Sequence, residues 1–272
     1  MFADGADQGA GRTTLPFEGS DTMYDEFIAG RNAVYEALEA GREIDCIYLQ
    51  RSGAGKGLGR VVAAAKKRGV IIKDADAKKL DALCPGQNHQ GVVAAASPVH
   101  YYTLQEVLQR AKQRGEAPFL VLCDGILDPH NLGAIIRTAE CAGAHGVLMP
   151  KRRSAPISTT VYKSSAGACE HLPLCRVGNL VQTIEQLKEA GVWVYCADMD
   201  GVNFRDQDFG GPVAIVVGSE GEGVSRLVRQ SCDGAVSLPL LGQISSLNAS
   251  VAAGIVLYEV AGQRLAAKKG AQ

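Results

Sequence analysis

The chain has 272 residues, a formal net charge of −1 and 46% hydrophobic residues. That is enough apolar material for one large domain or two ordinary ones, and it excludes a fully disordered chain. A near-neutral balance gives no global case for a polyanionic partner, and no apolar run reaches the length of a membrane span.

The first two dozen residues are rich in Gly, Ala and Asp and lack the apolar core of a signal peptide. They predict a disordered tail over residues 1–23 of a soluble, cytoplasmic protein. Organised sequence starts at Phe27-Ile-Ala-Gly-Arg-Asn-Ala-Val-Tyr-Glu-Ala-Leu38, where apolar residues recur at helical spacing. Strands are expected at Cys46–Leu49, Val70–Lys73 and Gly91–Ala96, and helices at Leu58–Lys67 and Ala77–Leu83. Residues 24–98 thus read as a compact α/β module. The stretch Ser97–Pro118, with a polar helical pattern and a proline near each end, reads as a connector, and the linker is placed at residues 99–117.

A second module, 118–267, opens on the apolar run Phe119–Cys123. Helix Leu132–Ala142, strand Gly146–Met149, a polar helix near Ser158–Ala166 and helix Leu180–Ala190 follow. Then come strands Val192–Ala197, Val213–Val217 and Ala235–Leu238, and a long helix from Ser246 to about Leu265, before a tail at 268–272. Continuously apolar strands alternating with helices predict a largely parallel sheet buried on both faces. The last helix is apolar almost all the way round (Val251, Ala252, Ala253, Ile255, Val256, Leu257), which predicts burial on every face.

The eight cysteines show no C-x-x-C and no histidine at metal spacing, so they read as small buried hydrophobes, and no metal site is expected. Between Arg51 and Lys73 lie seven cations (Arg51, Lys56, Arg60, Lys66, Lys67, Arg68, Lys73) and no carboxylate. This local basic patch suits nucleic-acid phosphate, although a solvated helix face would look the same. Lys151-Arg152-Arg153 is a second basic loop. The glycine-rich stretch Gly53–Gly59 is no Walker A motif, because no Gly-Lys-Ser/Thr closes it.

Polar residues and glycines gather where apolar runs end, at Asp128-Pro-His-Asn-Leu-Gly-Ala-Ile-Ile-Arg137, Gly218-Ser-Glu-Gly-Glu-Gly223 and Leu238-Pro239 with Ser245–Ser250. In α/β proteins, backbone N–H groups are presented to ligands at such places. Asn131 suits a helix N-cap, and Arg137, six positions on, is expected on nearly the same face. The order G-x-x-G-x-G differs from the dinucleotide fingerprint, and its two acids would repel a pyrophosphate while tolerating a cationic ligand. Glu222 suits compensation of a helix dipole and Ser246 a helix cap.

Together the three segments resemble the motifs of the SpoU/TrmH family of RNA ribose 2′-O-methyltransferases, and Gly30–Val34, Asn88–Gly91 and Lys163–Ala168 extend the resemblance. It implies an α/β methyltransferase domain with a trefoil knot and S-adenosylmethionine as cofactor. A ribosomal-protein-like RNA-binding domain would precede it, in a homodimer built through the C-terminal domain. Onto this sequence it places Arg137, Asn131, Glu220, Ser246 and Asn248 as catalytic residues. Gly218, Gly223, Leu238, Pro239 and Leu247 fall in the cofactor pocket. The candidate RNA contacts are Lys56, Arg60, Lys66, Lys67, Arg68, Lys151, Arg152 and Lys163. Arg137 cannot ordinarily act as a base, so clamping a phosphate is its larger expected role. Within the family, the N-terminal module points to a guanosine of 23S rRNA as target. A tRNA ribose and an rRNA methylation conferring antibiotic resistance stay open. A non-catalytic RNA-binding protein would carry damaged motifs, and a nicotinamide oxidoreductase would need the Rossmann glycine order.

Overall fold

The computed structural model describes residues 26–50, 58–97 and 99–270. The expected tail at 1–23 and Lys56 lie outside them. In the N-terminal domain the elements run β1 (Glu26–Ala29), α1 (Arg31–Glu39), β2 (Ile44–Gln50), α2 (Leu58–Lys67), β3 (Ile71–Ala75), α3 (Ala77–Leu83) and β4 (Val92–Ala96). They form a sheet of order β1-β4-β2-β3, in which only the β2–β3 pair is parallel. All five residues of β4 are buried because both faces of the sheet are covered. Val92 and Ala94 join the cluster under α1 and α2, and Val93 and Ala95 join Leu80 of α3 on the other side.

The start of this domain departs from the helical reading of Phe27–Leu38. Residues 26–29 are a strand, with Ile28 packed to one face and Phe27 and Ala29 to the other. Gly30, at φ +98°, turns the chain into α1. A strand of four residues is too short for its period of two to stand out beside a nine-residue helix.

The second domain contains β5 (Phe119–Asp124), α5 (Pro129–Cys141), β6 (Gly146–Pro150), α6 (Thr159–Ser164), β7 (Leu174–Val177), α7 (Leu180–Glu189), β8 (Trp193–Asn203), β9 (Val213–Gly218), α8 (Arg226–Ser231), β10 (Gly234–Ser237) and α9 (Ala249–Gly270). Its six strands are all parallel, in the order β10-β8-β9-β5-β6-β7. Residues 119, 121 and 123 face a core shared with α5, α6 and α9, and residues 120 and 122 face one shared with α7 and α8. Such alternation is invisible in an unbroken apolar run, yet it is what a sheet covered on both faces requires.

The linker also carries α4 (Leu104–Gln113), closed by a Thr103–Glu106 capping box. Val107 enters the second core, so this helix belongs to the outer layer of the six-stranded sheet rather than to a bare connector. The short strand β7 is an addition to the sequence reading, and the helix expected from Val224 starts two residues later, at Arg226. The last helix continues through residues 268–270, where a tail was expected. Lys268 Nζ donates to Glu116 Oε1 (2.9 Å), and Arg264 donates to the carbonyls of Ala117, Pro118 and Gly211 (2.8, 2.8 and 2.7 Å). These bonds staple the C-terminal end of α9 to the base of the sheet.

Burial of α9 is one-sided. Ala249, Ala253, Val256, Leu257 and Val260 are buried against α5 and the sheet. Val251, Ile255 and Tyr258, spaced by four and three, stay 49%, 39% and 57% exposed. One subunit therefore covers one side of the helix and leaves an apolar stripe open, and the expected burial of the other side by a second subunit is not tested by a single chain.

The domains meet through polar groups. Asp45 of β2, 3% exposed, accepts hydrogen bonds from Arg176 of β7 and from Tyr101 in the linker (2.9 Å for Tyr101). Arg176 also donates to the Lys151 carbonyl (2.9 Å), and Lys151 Nζ donates to the Gly69 carbonyl (3.2 Å). Burial raises the Asp45 carboxyl above the ordinary range, and the neighbouring Arg176 partly offsets it.

All eight cysteines are free; Cys232 is half-buried, Cys141 at the end of α5 is exposed, and the other six are buried. Burial pushes the Cys123 thiol up to about 12 and that of Cys175 to about 11.

Helices α5 and α6 touch at Gly133, where an added Cβ would lie 2.1 Å from Ser164 Oγ and 2.8 Å from the Val161 carbonyl oxygen. Both neighbours are fixed, one of them by backbone. Gly133→Ala is expected to cost about 1–3 kcal/mol through overpacking, read as a lowered calorimetric midpoint. An unchanged midpoint would mean that α6 yields freely.

Candidate active site

Three side chains from the three motifs form a hydrogen-bonded triangle. Asn131 Nδ2 donates to Glu220 Oε1 (3.1 Å), Asn248 Nδ2 donates to Asn131 Oδ1 (2.9 Å), and Asn248 Nδ2 also donates to Glu220 Oε1. Asn131 and Asn248 are 117 positions apart in the chain, and Asn131 and Glu220 are 89 apart. Only the folded sheet brings them together.

Each member is placed by local chemistry. Asp128, not Asn131, caps α5, accepting from the backbone N–H groups of His130 (3.1 Å) and Asn131 (3.3 Å), with Pro129 in the first turn. The Asn131 side chain, spared capping, turns inward and is 7% exposed. Asn248, rather than Ser246, caps α9: its Oδ1 accepts from the N–H groups of Ser250 (2.9 Å) and Val251 (3.2 Å). Those donors fix which end of the amide is oxygen, and they leave the NH2 to face Glu220 and Asn131.

Glu220 rides on a turn that only glycine permits. A Cβ on Gly218 would lie 2.0 Å from the Gly223 carbonyl carbon and 2.2 Å from the Val224 nitrogen. The strands closing the turn bond reciprocally, Ser219 N to Gly223 O (3.1 Å) and Gly223 N to Ser219 O (3.0 Å), while Gly221 and Gly223 hold φ of +85° and +67°. Asp124, opposite Gly218 in register at the end of β5, accepts from Ser225 N (2.7 Å) and ties the far side of the turn down. Asp124 was not singled out in the sequence, although an acid ending a buried strand was a signal for it. Glu222 has no part in helix dipole compensation, because α8 begins at Arg226 with no acidic residue in its first turn.

Arg137 does not share a face with Asn131. Six residues advance a helix by about 1.7 turns, leaving the two side chains about 120° apart. Asn131 is buried, Arg137 is exposed, and its guanidinium has no hydrogen-bond or ionic partner among the described residues. Leu238 is half-buried, whereas Pro239, Ser246 and Leu247 are exposed in a loop where Leu241 and Ile244 are 97% and 77% exposed. The backbone of residues 239–247 makes no hydrogen bond to the described residues.

The basic candidates separate into committed and open cations. Arg68 donates to the Leu38 and Gly41 carbonyls (2.6 and 3.0 Å) at the C-terminal end of α1, and Arg60 lies 4.2 Å from the centroid of the Tyr35 ring. Lys66, Lys67, Arg152 and Lys163 are exposed, and Lys151 spans the domain seam.

A parallel sheet wound on both faces, with a polar cluster just past the carboxyl ends of its central strands, defines an α/β protein that takes a ligand at that edge. Comparison with known proteins narrows this. The profile of the SpoU rRNA Methylase family matches residues 118–258, and that of RNA 2′-O ribose methyltransferase substrate binding matches residues 27–102. The chain is 44% identical over 236 residues to a putative TrmH family tRNA/rRNA methyltransferase of Bacillus subtilis (strain 168), covering 86% of this chain and 94% of that one. A putative TrmH family tRNA/rRNA methyltransferase of Staphylococcus haemolyticus is 43% identical, over 88% and 96% of the two chains. Among solved structures, the SpoU methyltransferase AviRb of Streptomyces viridochromogenes in complex with AdoMet matches 88% of this chain and 90% of that one, with a TM-score of 0.56 and 26% identity. An AdoMet-bound rRNA methyltransferase of Sinorhizobium meliloti matches 86% and 85%, at a TM-score of 0.53 and 25% identity. The chain belongs to the SpoU/TrmH family of RNA 2′-O-methyltransferases. It is an S-adenosylmethionine-dependent enzyme with an N-terminal substrate-binding domain.

The triangle separates two jobs of Asn248. Asn248→Asp retains the cap but sets a second carboxylate against Glu220, whereas Asn248→Ala removes both functions. Ala is expected to lose about 1 kcal/mol of stability together with methyl transfer; Asp is expected to keep a midpoint near wild type and still lose methyl transfer. Denaturation curves and tritiated-methyl incorporation measure the two, and an active Asp variant would refute a working triangle.

Proposed function

We propose that the chain methylates the ribose 2′-oxygen of one guanosine in 23S rRNA, as a cytoplasmic homodimer. The observation that carries the reading is the convergence of Asn131, Glu220 and Asn248 from three distant motifs, with the uncommitted Arg137 on the helix that bears Asn131. The rRNA assignment is supported by the two-domain layout, in which a basic N-terminal domain precedes the methylase domain. A tRNA ribose is the alternative target, favoured by nothing in the site itself.

The residues present fit S-adenosylmethionine. Its sulfonium and amino group are cationic, and Glu220 Oε2 has no partner among the described residues. Gly218 and Gly223 keep side chains out of the turn, and the loop from Leu238 through Pro239 to Leu247 offers unspent backbone donors and acceptors for an adenosyl group. When bound, this cofactor supplies an electrophilic methyl group.

The chain's own residues then have to hold the nucleophile. Arg137 clamps the phosphate beside the target ribose through its planar fork and directs the 2′-hydroxyl. Ser246 and Asn248 border the nucleotide, and Asn131 holds Glu220 in place. Most of the acceleration comes from fixing two atoms in attack geometry. The exposed cations Lys66, Lys67, Arg152 and Lys163 supply the long-range attraction for RNA, which weakens as salt rises. Lys56, Arg60, Arg68 and Lys151 add to that field.

The stripe Val251, Ile255 and Tyr258 is exposed, as are the apolar loop residues Leu241, Ile244 and Leu247 that precede α9 in the chain. A second copy related by a two-fold axis covers the stripe and brings the partner's loop beside this site. Light scattering at micromolar concentration is expected to give twice the chain mass; a fully active monomer would exclude a shared site.

Arg137→Ala is expected to abolish methyl transfer while leaving cofactor affinity within a few-fold. Arg137→Lys is expected to restore little, since a point charge lacks the bidentate fork. Near-normal turnover by the Lys variant would end the clamp assignment. Mapping of 2′-O-methylated riboses in 23S rRNA and tRNA from a deletion strain decides between the two RNA classes.

A further inference from the structure

A cleft of about 430 Å³ lies between the two domains, where β6 and β7 end. Residues of the substrate-binding domain (Glu43, Arg68, Gly69) form one wall, and the ends of β6 and β7 with the first turns of α7 form the other. Its volume falls in the range of sites that take one small organic group. Resting on the proposed RNA activity, it has four features that fit a single kind of occupant.

First, α7 presents a row of amides to it. Asn179, Gln182 and Gln186, spaced by three and four, all line the cleft. The side chains of Gln182 and Gln186 have no hydrogen-bond partner among the described residues. Asn179 spends its Oδ1 on capping α7, bonding Val181 N (2.9 Å) and Gln182 N (3.4 Å), and keeps its NH2. Paired amide donors and acceptors match the edge of a nucleobase.

Second, buried Asp45 lines the same cleft, and while its Oδ1 is satisfied by Tyr101 and Arg176, its Oδ2 has no partner. An unspent buried acceptor calls for an N–H donor. Third, Lys151 and Arg68 line the cleft and place two basic side chains at it. Fourth, β7 lies two strands from β5 in the sheet order, roughly 10 Å at ordinary strand spacing, and the cleft sits at the same carboxyl edge as the catalytic turn. A nucleotide close to the methylated one reaches it without distorting the chain.

We propose that this interdomain cleft is a second RNA-reading site, which takes an unstacked nucleobase flanking the methylated ribose and reads its edge through Asn179, Gln182 and Gln186. RNA recognition generally rests on such splayed bases rather than on the closed grooves of a duplex.

Gln182 and Gln186 are exposed, and alanine suits a helix, so Gln182→Ala with Gln186→Ala leaves the fold intact. The test uses full-length protein and synthetic RNA bearing the ribose located by the mapping above. The double variant is expected to raise the KM for RNA about tenfold, with kcat and S-adenosylmethionine affinity within twofold of wild type. Single abasic substitutions flanking the target are then scanned. At one position, loss of the base should penalise the wild type and cost the variant nothing further. An unchanged KM, or abasic penalties that add fully to the variant's at every position, would overturn the cleft assignment. Competition by free AMP or GMP at the wild-type KM would transfer the site to a small nucleotide and equally overturn it. Failure of the wild-type chain to methylate any RNA would instead remove the parent reading, and this one with it.

Discussion

A carboxylate and two amides cannot satisfy one another at random: Glu220 offers only acceptors, and each amide offers both a donor and an acceptor. The triangle of Asn131, Glu220 and Asn248 meets that constraint by spending both protons of the Asn248 NH2, on Asn131 Oδ1 and on Glu220 Oε1. Asn248 manages this because its oxygen is already committed to the first turn of α9. The cap of one helix, the inner face of α5 and the turn after β9 are consequently fastened as one unit. Moving any of the three would leave a polar group unpaired, so the exposed loop ahead of Asn248 can adapt to a ligand while its far end stays fixed.

The two domains are joined on a different principle. Each has its own apolar clusters on both faces of its sheet, and the seam is carried by Asp45, Tyr101, Arg176 and Lys151. Directional bonds fix an angle between two bodies without the area that apolar packing needs. The buried carboxylate of Asp45 is the expensive part of that arrangement, since burial opposes its charge, and removing Arg176 alone would leave it uncompensated.

Much of this was legible in the chain. Runs such as Phe119–Cys123 and Val213–Val217, five residues long and apolar throughout, read as buried strands, and the polar ends of such runs marked the edge where the site forms. The three motifs named the triangle's members before their contacts were known. What escaped had physical reasons. Four-residue strands such as Glu26–Ala29 and Leu174–Val177 are too short to display a period. The cap of α5 went to Asp128 rather than Asn131 because two candidate capping residues stand within one turn, and only the inward pull of Glu220 decides between them. Arg137 and Asn131 were placed on one face, whereas helical geometry sets them about 120° apart. The Asp45–Arg176 pair spans 131 positions and leaves no local trace.

The unequal burial of the thiols has a practical side. Six of the eight cysteines are sealed in the cores and Cys232 is half-covered, so Cys141, on the last residue of α5, is the one fully exposed sulfur. The natural sequence therefore carries its own attachment point for a maleimide dye or a spin label. It lies at the opposite end of the helix that presents Asn131 and one turn beyond Arg137. A reporter there would sense movement of the catalytic helix without a cysteine-free background having to be built first.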